Sequence, residues 1–387
     1  MKDHKVYADH AATAKVSERA LAAALPFLGE RFGNPSAVYG TGTDAAGAML
    51  TARKRIAGLL GADASELFFT SGGTEADNWA VKSAAELCFA AGKRHIVTTN
   101  IEHHAVLGSC RHLERLGFEV TYLPADRDGL ISPEQVSSAV REDTALVSVM
   151  LANNEIGTLQ PVAQIGEICR ERGVLLHTDA VQAAGHIPID VKELGADMLS
   201  LSGHKFGSPK GIGALYVRKG LTLPPLLDGG AQERGRRAGT ENTAGAAAMS
   251  EALAESLEDL EAKTARLLAM RERLIGGLLR IPGSRLNGDR QKRLPGNVNI
   301  SFEGIEGEGL IVMLDMLGVQ ASSGSACTSF SPEPSHVLKA IGLSDELAKG
   351  SLRLTLGADN TSEDADRILE AVPKAVERLR RMSPCKF

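Results

Sequence analysis

Cysteine is scarce and odd in number. The five thiols are Cys88, Cys110, Cys169, Cys327 and Cys385, and no C-x-x-C occurs among them. That excludes a disulfide scaffold and a Cys-rich zinc site, and it fits the reduced thiols of a cytoplasmic protein. No run of about 18 apolar residues is free of charge, so no membrane-spanning helix is expected. The opening Met1-Lys2-Asp3-His4-Lys5 leads into no apolar core of a signal peptide. Neither sign of charge dominates: Lys plus Arg is 43 and Asp plus Glu is 48, a net charge of -5. Without a basic block there is no electrostatic footprint for nucleic acid. What remains is ordinary globular usage, 43% hydrophobic and 24% charged, which rules out a disordered or collagen-like chain. At 387 residues, two or three domains are expected.

The middle of the chain repeats one rhythm, a short apolar run, a turn and an amphipathic stretch. The runs read as strands are Leu67–Thr70, His95–Thr98, Glu119–Leu123, Ala145–Leu151, Val174–Asp179, Asp197–Leu201 and Gly213–Val217. Helical patterns lie between them, such as Pro161–Arg172, with Pro at a plausible first helical position. Alternation of this kind predicts a mainly parallel sheet with helices on both faces. Ligands of such sheets bind beyond the carboxyl ends of the strands. From Glu251 to Arg280 a heptad of leucines (Leu253, Leu260, Leu267, Leu274) predicts one long helix of roughly 45 Å. It would connect to a smaller α+β domain over about 281–387, with strands at Val298–Phe302 and Leu352–Leu356 and helices at Gly309–Leu317 and Ser362–Arg381.

Several strand ends carry reactive groups. Ser202-Gly203-His204-Lys205 follows the run ending at Leu201. A lysine at a strand exit suits Schiff-base chemistry with an aldehyde cofactor, or is a surface lysine in a turn. Asp179 closes an apolar strand and needs a partner to offset its desolvation. A protonated pyridine nitrogen would serve, and so would a helix N-cap role. The turn Ser71-Gly72-Gly73-Thr74-Glu75 runs from strand into helix, where backbone N–H groups favour an anion. Glu102-His103-His104 and Asn153-Asn154-Glu155 follow two further strands. A neutral His can stack on a heteroaromatic ring, a buried Asn can bond a phenolic oxygen, and two adjacent His make a weak metal signature. The stretch from Ala321 to Ser335 is small, polar and punctuated by Pro, which predicts a mobile loop. A cysteine there, Cys327, is either a fortuitous surface thiol or a nucleophile.

Taken together, FGNPS at 32–36, TSGGTEADN at 70–78, EHHAVL at 102–107, NNEIG at 153–157, HTDAVQ at 177–182, SGHK at 202–205, ERGRRAGTEN at 233–242 and SSGSACTS at 322–329 resemble the cysteine desulfurases. These are the NifS/IscS-type members of the class V aminotransferase family of pyridoxal 5'-phosphate (PLP) enzymes. The resemblance spans nearly the whole chain. It implies an α/β fold of the aspartate-aminotransferase type, a large PLP-binding domain over 15–255 with a seven-stranded sheet, and a small domain from 1–14 and 256–387 carrying the Cys327 loop. It implies Lys205 as the Schiff-base lysine, Asp179 on the pyridine nitrogen, and His103 stacked on the ring. Asn154 and Gln182 would bond the ring oxygen. Thr74, Ser202 and His204 would hold the phosphate, with Thr240 reaching in from the second subunit of a homodimer. Asn34 and Arg353 would grip the substrate carboxylate, and Cys327 would form the persulfide. No metal is expected in the catalytic site, and Cys327 would meet an iron–sulfur cluster only during transfer. The implied activity converts L-cysteine to L-alanine and passes sulfur to a scaffold or other acceptor for iron–sulfur cluster assembly. Selenocysteine lyase, aminotransferase, sulfur donation for tRNA thiolation and a non-catalytic scaffold stand as alternatives. The ending at Lys386-Phe387 leans toward the NifS branch, and Thr13-Ala14, Tyr39 and Gly207-Ser208 depart from the family pattern.

Overall fold

The computed structural model describes residues 5–323 and 334–382. Twelve strands form three sheets: β1 (Val6–Tyr7), β2 (Leu67–Thr70), β3 (His95–Thr99), β4 (Glu119–Leu123), β5 (Thr144–Ser148), β6 (Leu175–Asp179), β7 (Met198–Ser202), β8 (Gly213–Val217), β9 (Ser284–Leu286), β10 (Asn297–Phe302), β11 (Val319–Gln320) and β12 (Ser351–Thr355). The largest sheet has seven strands in the order β2-β8-β7-β6-β5-β3-β4. Only β8 runs against its neighbours, pairing antiparallel with both β2 and β7. All seven expected strands are present.

These strands are buried on both faces, which is why they read as nearly continuous apolar runs. Side-chain alternation divides them. Phe68, Ile96, Leu146, Met198 and Leu215 share one cluster with Ala76, Trp79 and Ala80 of the Gly73–Phe89 helix. Leu67, Val97, Val147, Leu199 and Ala214 face the opposite cluster. The same period of two puts Ser148, His177, Asp179 and Ser200 on the face that the Gly73–Phe89 helix covers.

Three expectations are corrected. The long helix over Glu251–Arg280 is two helices, Thr243–Leu257 and Leu260–Leu278. Asp259 between them is left-handed, with φ 48°. The leucine heptad runs through the break, but its residues serve different cores: Leu253 packs in the large-sheet cluster, while Leu267 and Leu274 pack in another. The chain must turn to satisfy both, and Lys263 Nζ donates to the freed Glu255 carbonyl at 2.7 Å. The strand expected over Ala145–Leu151 ends at Ser148, because β3 turns away after Thr99. The chain still bonds β6, through Val149 N–H to His177 O and Leu151 N–H to Asp179 O. Pro161 is the cap ahead of the Val162–Arg172 helix, not its first residue.

The second cluster gathers the antiparallel β12-β10-β9 sheet, the parallel β1-β11 pair and the Leu260–Leu278, Gly307–Met316 and Ser362–Met382 helices. The short helices His336–Ala340 and Asp345–Lys349 instead send Val337, Leu338 and Ala348 into the large-sheet core. Among the described residues no helix is long and apolar enough to cross a membrane.

Candidate active site

A cleft of ≈ 530 Å³ opens where β2, β3, β5, β6 and β7 end. β2 runs parallel to β7 because β8 opposes both, so five strand exits meet at one edge of the sheet. Thr74, His103, Asn154, Asp179, Gln182, Ser202, His204, Lys205 and Arg353 all line the cleft, so the fold gathers nine residues scattered over the sequence.

One end is built for an anion. The Gly73–Phe89 helix begins at Gly72 with no side chain capping it, so its first N–H groups face the cleft unclaimed by a side-chain cap. A Cβ on Gly73 would come within 2.6 Å of Val181 Cγ2, so only glycine lets the turn lie this close to the β6 exit. Glu75 braces the turn by accepting from Ser71 N–H at 2.8 Å, and Arg237 holds Glu75 from the other side, its Nε at 2.8 Å. Thr74, Ser202 and His204 supply side chains there, His204 Nδ1 lying 3.2 Å from Thr13 Oγ1.

The middle of the cleft holds the acid and the imidazole. Asp179 is 5% exposed and accepts from Val181 N–H at 2.9 Å. Burial raises its pKa, while that N–H and the Lys205 ammonium pull it back. His103 caps the His104–Arg115 helix: its Nδ1 accepts from Ala105 N–H at 3.2 Å. That contact puts the ring proton on Nε2. Burial, helped by Lys205, lowers the His103 pKa to about 4, so the ring is neutral near pH 7. Lys205 ends the tight turn Gly203–Lys205 after β7, and its Nζ donates to Ala11 O at 2.6 Å and Ala12 O at 2.9 Å. Gln182 Nε2 donates to the same Ala11 carbonyl at 3.0 Å.

The far end belongs to Arg353. Alternation along β12 sends Leu352 and Leu354 into the second core and Arg353 the other way. Its Nη1 donates to Asn154 O at 3.0 Å and its Nη2 to Asp9 Oδ1 at 2.8 Å, while Nε has no partner among the described residues. Backbone bonds of 2.7 and 3.2 Å tie Arg353 to Ser322.

Asn34 and Thr240 are exposed and do not line this cleft in the single chain; Asn34 Oδ1 accepts from Ser36 N–H at 2.9 Å. Cys327 lies outside the described residues. The chain on either side of that gap is set at the cleft: Ser322 pairs with Arg353, Ser335 donates its hydroxyl to Glu155 Oε2 at 2.5 Å, and His336 Nε2 lies 3.0 Å from Glu102 O.

Sequence reasoning gave no role to four cleft or near-cleft residues: Asp77, Glu102, Glu155 and His336. Burial raises Glu102 to about 8 and Glu155 to about 7. Only the fold could show this for Glu102 and Glu155, although both sit inside quoted motifs.

The donor set fits PLP. A glycine turn at a helix N-terminus suits the phosphate, a buried carboxylate suits the pyridinium nitrogen, and a lysine amine lines the same cleft. The aminotransferase class-V family profile matches residues 6–368. The chain is 55% identical to the cysteine desulfurase IscS of Methanosarcina thermophila over 379 residues, 98% of this chain and 94% of that protein. It is 48% identical to the cysteine desulfurase IscS of Dictyoglomus turgidum over 383 residues, 99% and 97% of the two chains. A solved NifS-like protein superposes with a TM-score of 0.91 at 38% identity, covering 97% of this chain and 100% of that one. SspA, solved in complex with cysteine, gives a TM-score of 0.80 at 37% identity, covering 92% and 100%. The names run across both the IscS and NifS branches. Identity of this extent, almost end to end, means that the chain belongs to the aminotransferase class-V family and, within it, to the cysteine desulfurases, which work with pyridoxal phosphate.

Proposed function

We propose that the cleft takes L-cysteine, delivers its sulfur to Cys327 as a persulfide and releases L-alanine, the sulfur then passing to an acceptor protein for iron–sulfur cluster assembly in the cytoplasm. The observation that carries this reading is the convergence of Lys205, Asp179 and Arg353 on one cleft. The relative solved with cysteine supports the substrate.

PLP, when bound, supplies an electron sink for the pair released at the substrate Cα. Asp179 would hold its pyridinium nitrogen, Thr74, Ser202 and His204 its phosphate, Asn154 and Gln182 its ring oxygen, and Lys205 its aldehyde carbon. His103 is neutral and lies in the same cleft, so it can pack on a cationic ring without repelling it. Its Nδ1 lone pair is engaged by the Ala105 amide. Proton movement at the substrate Cα is therefore assigned to Lys205 Nζ, which lines the same cleft. Arg353 would hold the carboxylate. The Cys327 thiolate attacks the substrate sulfur: an S–S bond forms, the Cβ–S bond breaks, and the electron pair left on Cβ takes up a proton as one C–H bond of the alanine methyl, the Cα proton being returned. A purified protein that releases alanine and sulfide from L-cysteine in the presence of a thiol reductant tests the reading directly. Activity on L-selenocysteine alone would overturn it in favour of a lyase.

Arg353→Ala is expected to raise KM for L-cysteine by roughly 10- to 150-fold, the equivalent of about 1.5–3 kcal/mol for a charge-assisted bidentate clamp. The cofactor's visible band should remain. Because the change also leaves Asp9 without its cation, Tm is measured alongside. An unchanged KM with cofactor bound sinks the role.

A homodimer completes the reading. Asn34 and Thr240 do not line the cleft of their own chain, and the segment around Asn34 carries apolar side chains in solvent, with Phe32 75% and Val38 94% exposed. Such a patch marks a protein contact. Val38→Asp combined with Phe32→Glu should shift the protein from dimer to monomer by light scattering and weaken cofactor retention. A variant that stays dimeric argues that another face mediates assembly.

A further inference from the structure

Behind Asp179 lies a second acid. Asp77 comes from the Gly73–Phe89 helix and is 1% exposed. One potential ligand atom each from Asp77, His103 and Asp179 lie within 4.8 Å of one another. Asp77 Oδ1 has no hydrogen-bond partner among the described residues. The nearest base is His177, whose Nε2 lies 3.6 Å away. That imidazole is fully occupied by hydroxyls, Nδ1 at 2.8 Å from Ser148 Oγ and Nε2 at 2.9 Å from Ser200 Oγ. Burial keeps it neutral, with a pKa of about 3. It therefore brings no positive charge to Asp77.

Two carboxyls this close and this buried do not both ionise. The groups facing the pair decide which keeps the proton. Asp179 has the Val181 N–H and faces the Lys205 ammonium. Burial disfavours a charge on Asp77 and the Asp179 carboxylate adds to that, while the Ser200 hydroxyl favours it; Glu102 also faces it, itself raised to about 8 by burial. His103, on the other side of Asp179, is neutral. The proton accordingly stays on Asp77.

We propose that Asp77 is a positioning residue for the cofactor acid: it is held as a neutral carboxyl, donates its Oδ1 hydroxyl proton toward the Asp179 carboxylate, and so limits the pair to one negative charge that faces the ring nitrogen. One proton answers two features at once. The orphaned Oδ1 gains a partner, and the buried acids stop repelling. A bound pyridinium strengthens the arrangement, since it favours the ionised form of Asp179 over that of Asp77. The proposal rests on the reading of the cleft as a PLP site for its consequence, though not for the location of the proton.

The test is infrared spectroscopy of the holoenzyme near neutral pH, wild type against Asp77→Asn. The difference spectrum should lose one carbonyl stretch of a protonated carboxyl. Its absence from the difference overturns the proposal. A pH titration of the cofactor's visible band reads the positioning. Asp77→Asn, whose amide can still donate, should keep the midpoint within about 0.3 pH unit of wild type. Asp77→Ala should move it by about one unit and weaken cofactor binding roughly tenfold. An Asp77→Ala variant with a lower Tm but an unmoved midpoint would show a packing role only and overturn the positioning claim. If the Ala variant fails to fold, the Asn spectra carry the test. Infrared spectra of the cofactor-stripped protein separate the two readings. A chain that binds no pyridoxal phosphate sinks the proposed function, yet its Asp77 proton is still there or not.

Discussion

Lys205→Ala is expected to abolish covalent cofactor attachment and to lower desulfuration by about 10³-fold or more, the range for loss of a nucleophile that also serves as a base. Its Nζ sits between the carbonyls of Ala11 and Ala12, at the exit of β7 and facing the Asp179 charge. The imidazole in the same cleft cannot stand in. His103 holds its free lone pair against the Ala105 N–H, and burial keeps it neutral. Lys210 also lines the cleft, so it is the natural competitor. Borohydride reduction of the wild-type protein followed by peptide mapping should therefore find the cofactor on Lys205. Label on Lys210 would reassign the amine and the proton transfer with it. The variant should fold, because the turn backbone stays bonded, Phe206 N–H to Gly203 O and Ser208 N–H to Gly203 O.

Much of this site was legible because strand ends announce themselves. Each strand of the large sheet is a short apolar run, and the polar residue that follows sits at the carboxyl edge by construction. That rule alone placed Thr74, His103, Asn154, Asp179, Ser202 and Lys205 at one rim before any contact was known. Arg353 was harder, since an arginine inside a strand pattern can face either side; pairing of β12 with β10 and with Ser322 decides it. The break at Asp259 was hidden because an unbroken leucine heptad satisfies helix periodicity whether or not it serves one core. Asp77 was invisible for another reason. On a helix it looks like any acid in the second turn, and only the packing of that helix over β6 and β7 brings it beneath Asp179. Tertiary proximity of two acids leaves no local trace in sequence.

Cys327→Ser is expected to retain the bound cofactor and its response to L-cysteine while forming no persulfide. Cys110 and Cys169 are buried, and burial pushes both up to about 12. At neutral pH their thiolate share is on the order of 10⁻⁵, and the thiolate is the nucleophile. Cys88 is half-buried and also raised by burial. None of the three lines the cleft. Cys327, by contrast, is tethered to it. Ser322 is paired with Arg353, and chain length alone keeps a residue five positions on within about 18 Å. On the other side Ser335 is fixed to Glu155 and His336 reaches the Glu102 carbonyl. The segment bearing Cys327 thus leaves from and returns to the rim where the substrate carboxylate would be held. Mass spectrometry after a single turnover should find an added sulfur, about 32 Da, on Cys327 of the wild type and nowhere on Cys327→Ser. The same mass on Cys88, Cys110, Cys169 or Cys385 would show that another thiol accepts the sulfur, and the attack at the cleft rim would have to be abandoned.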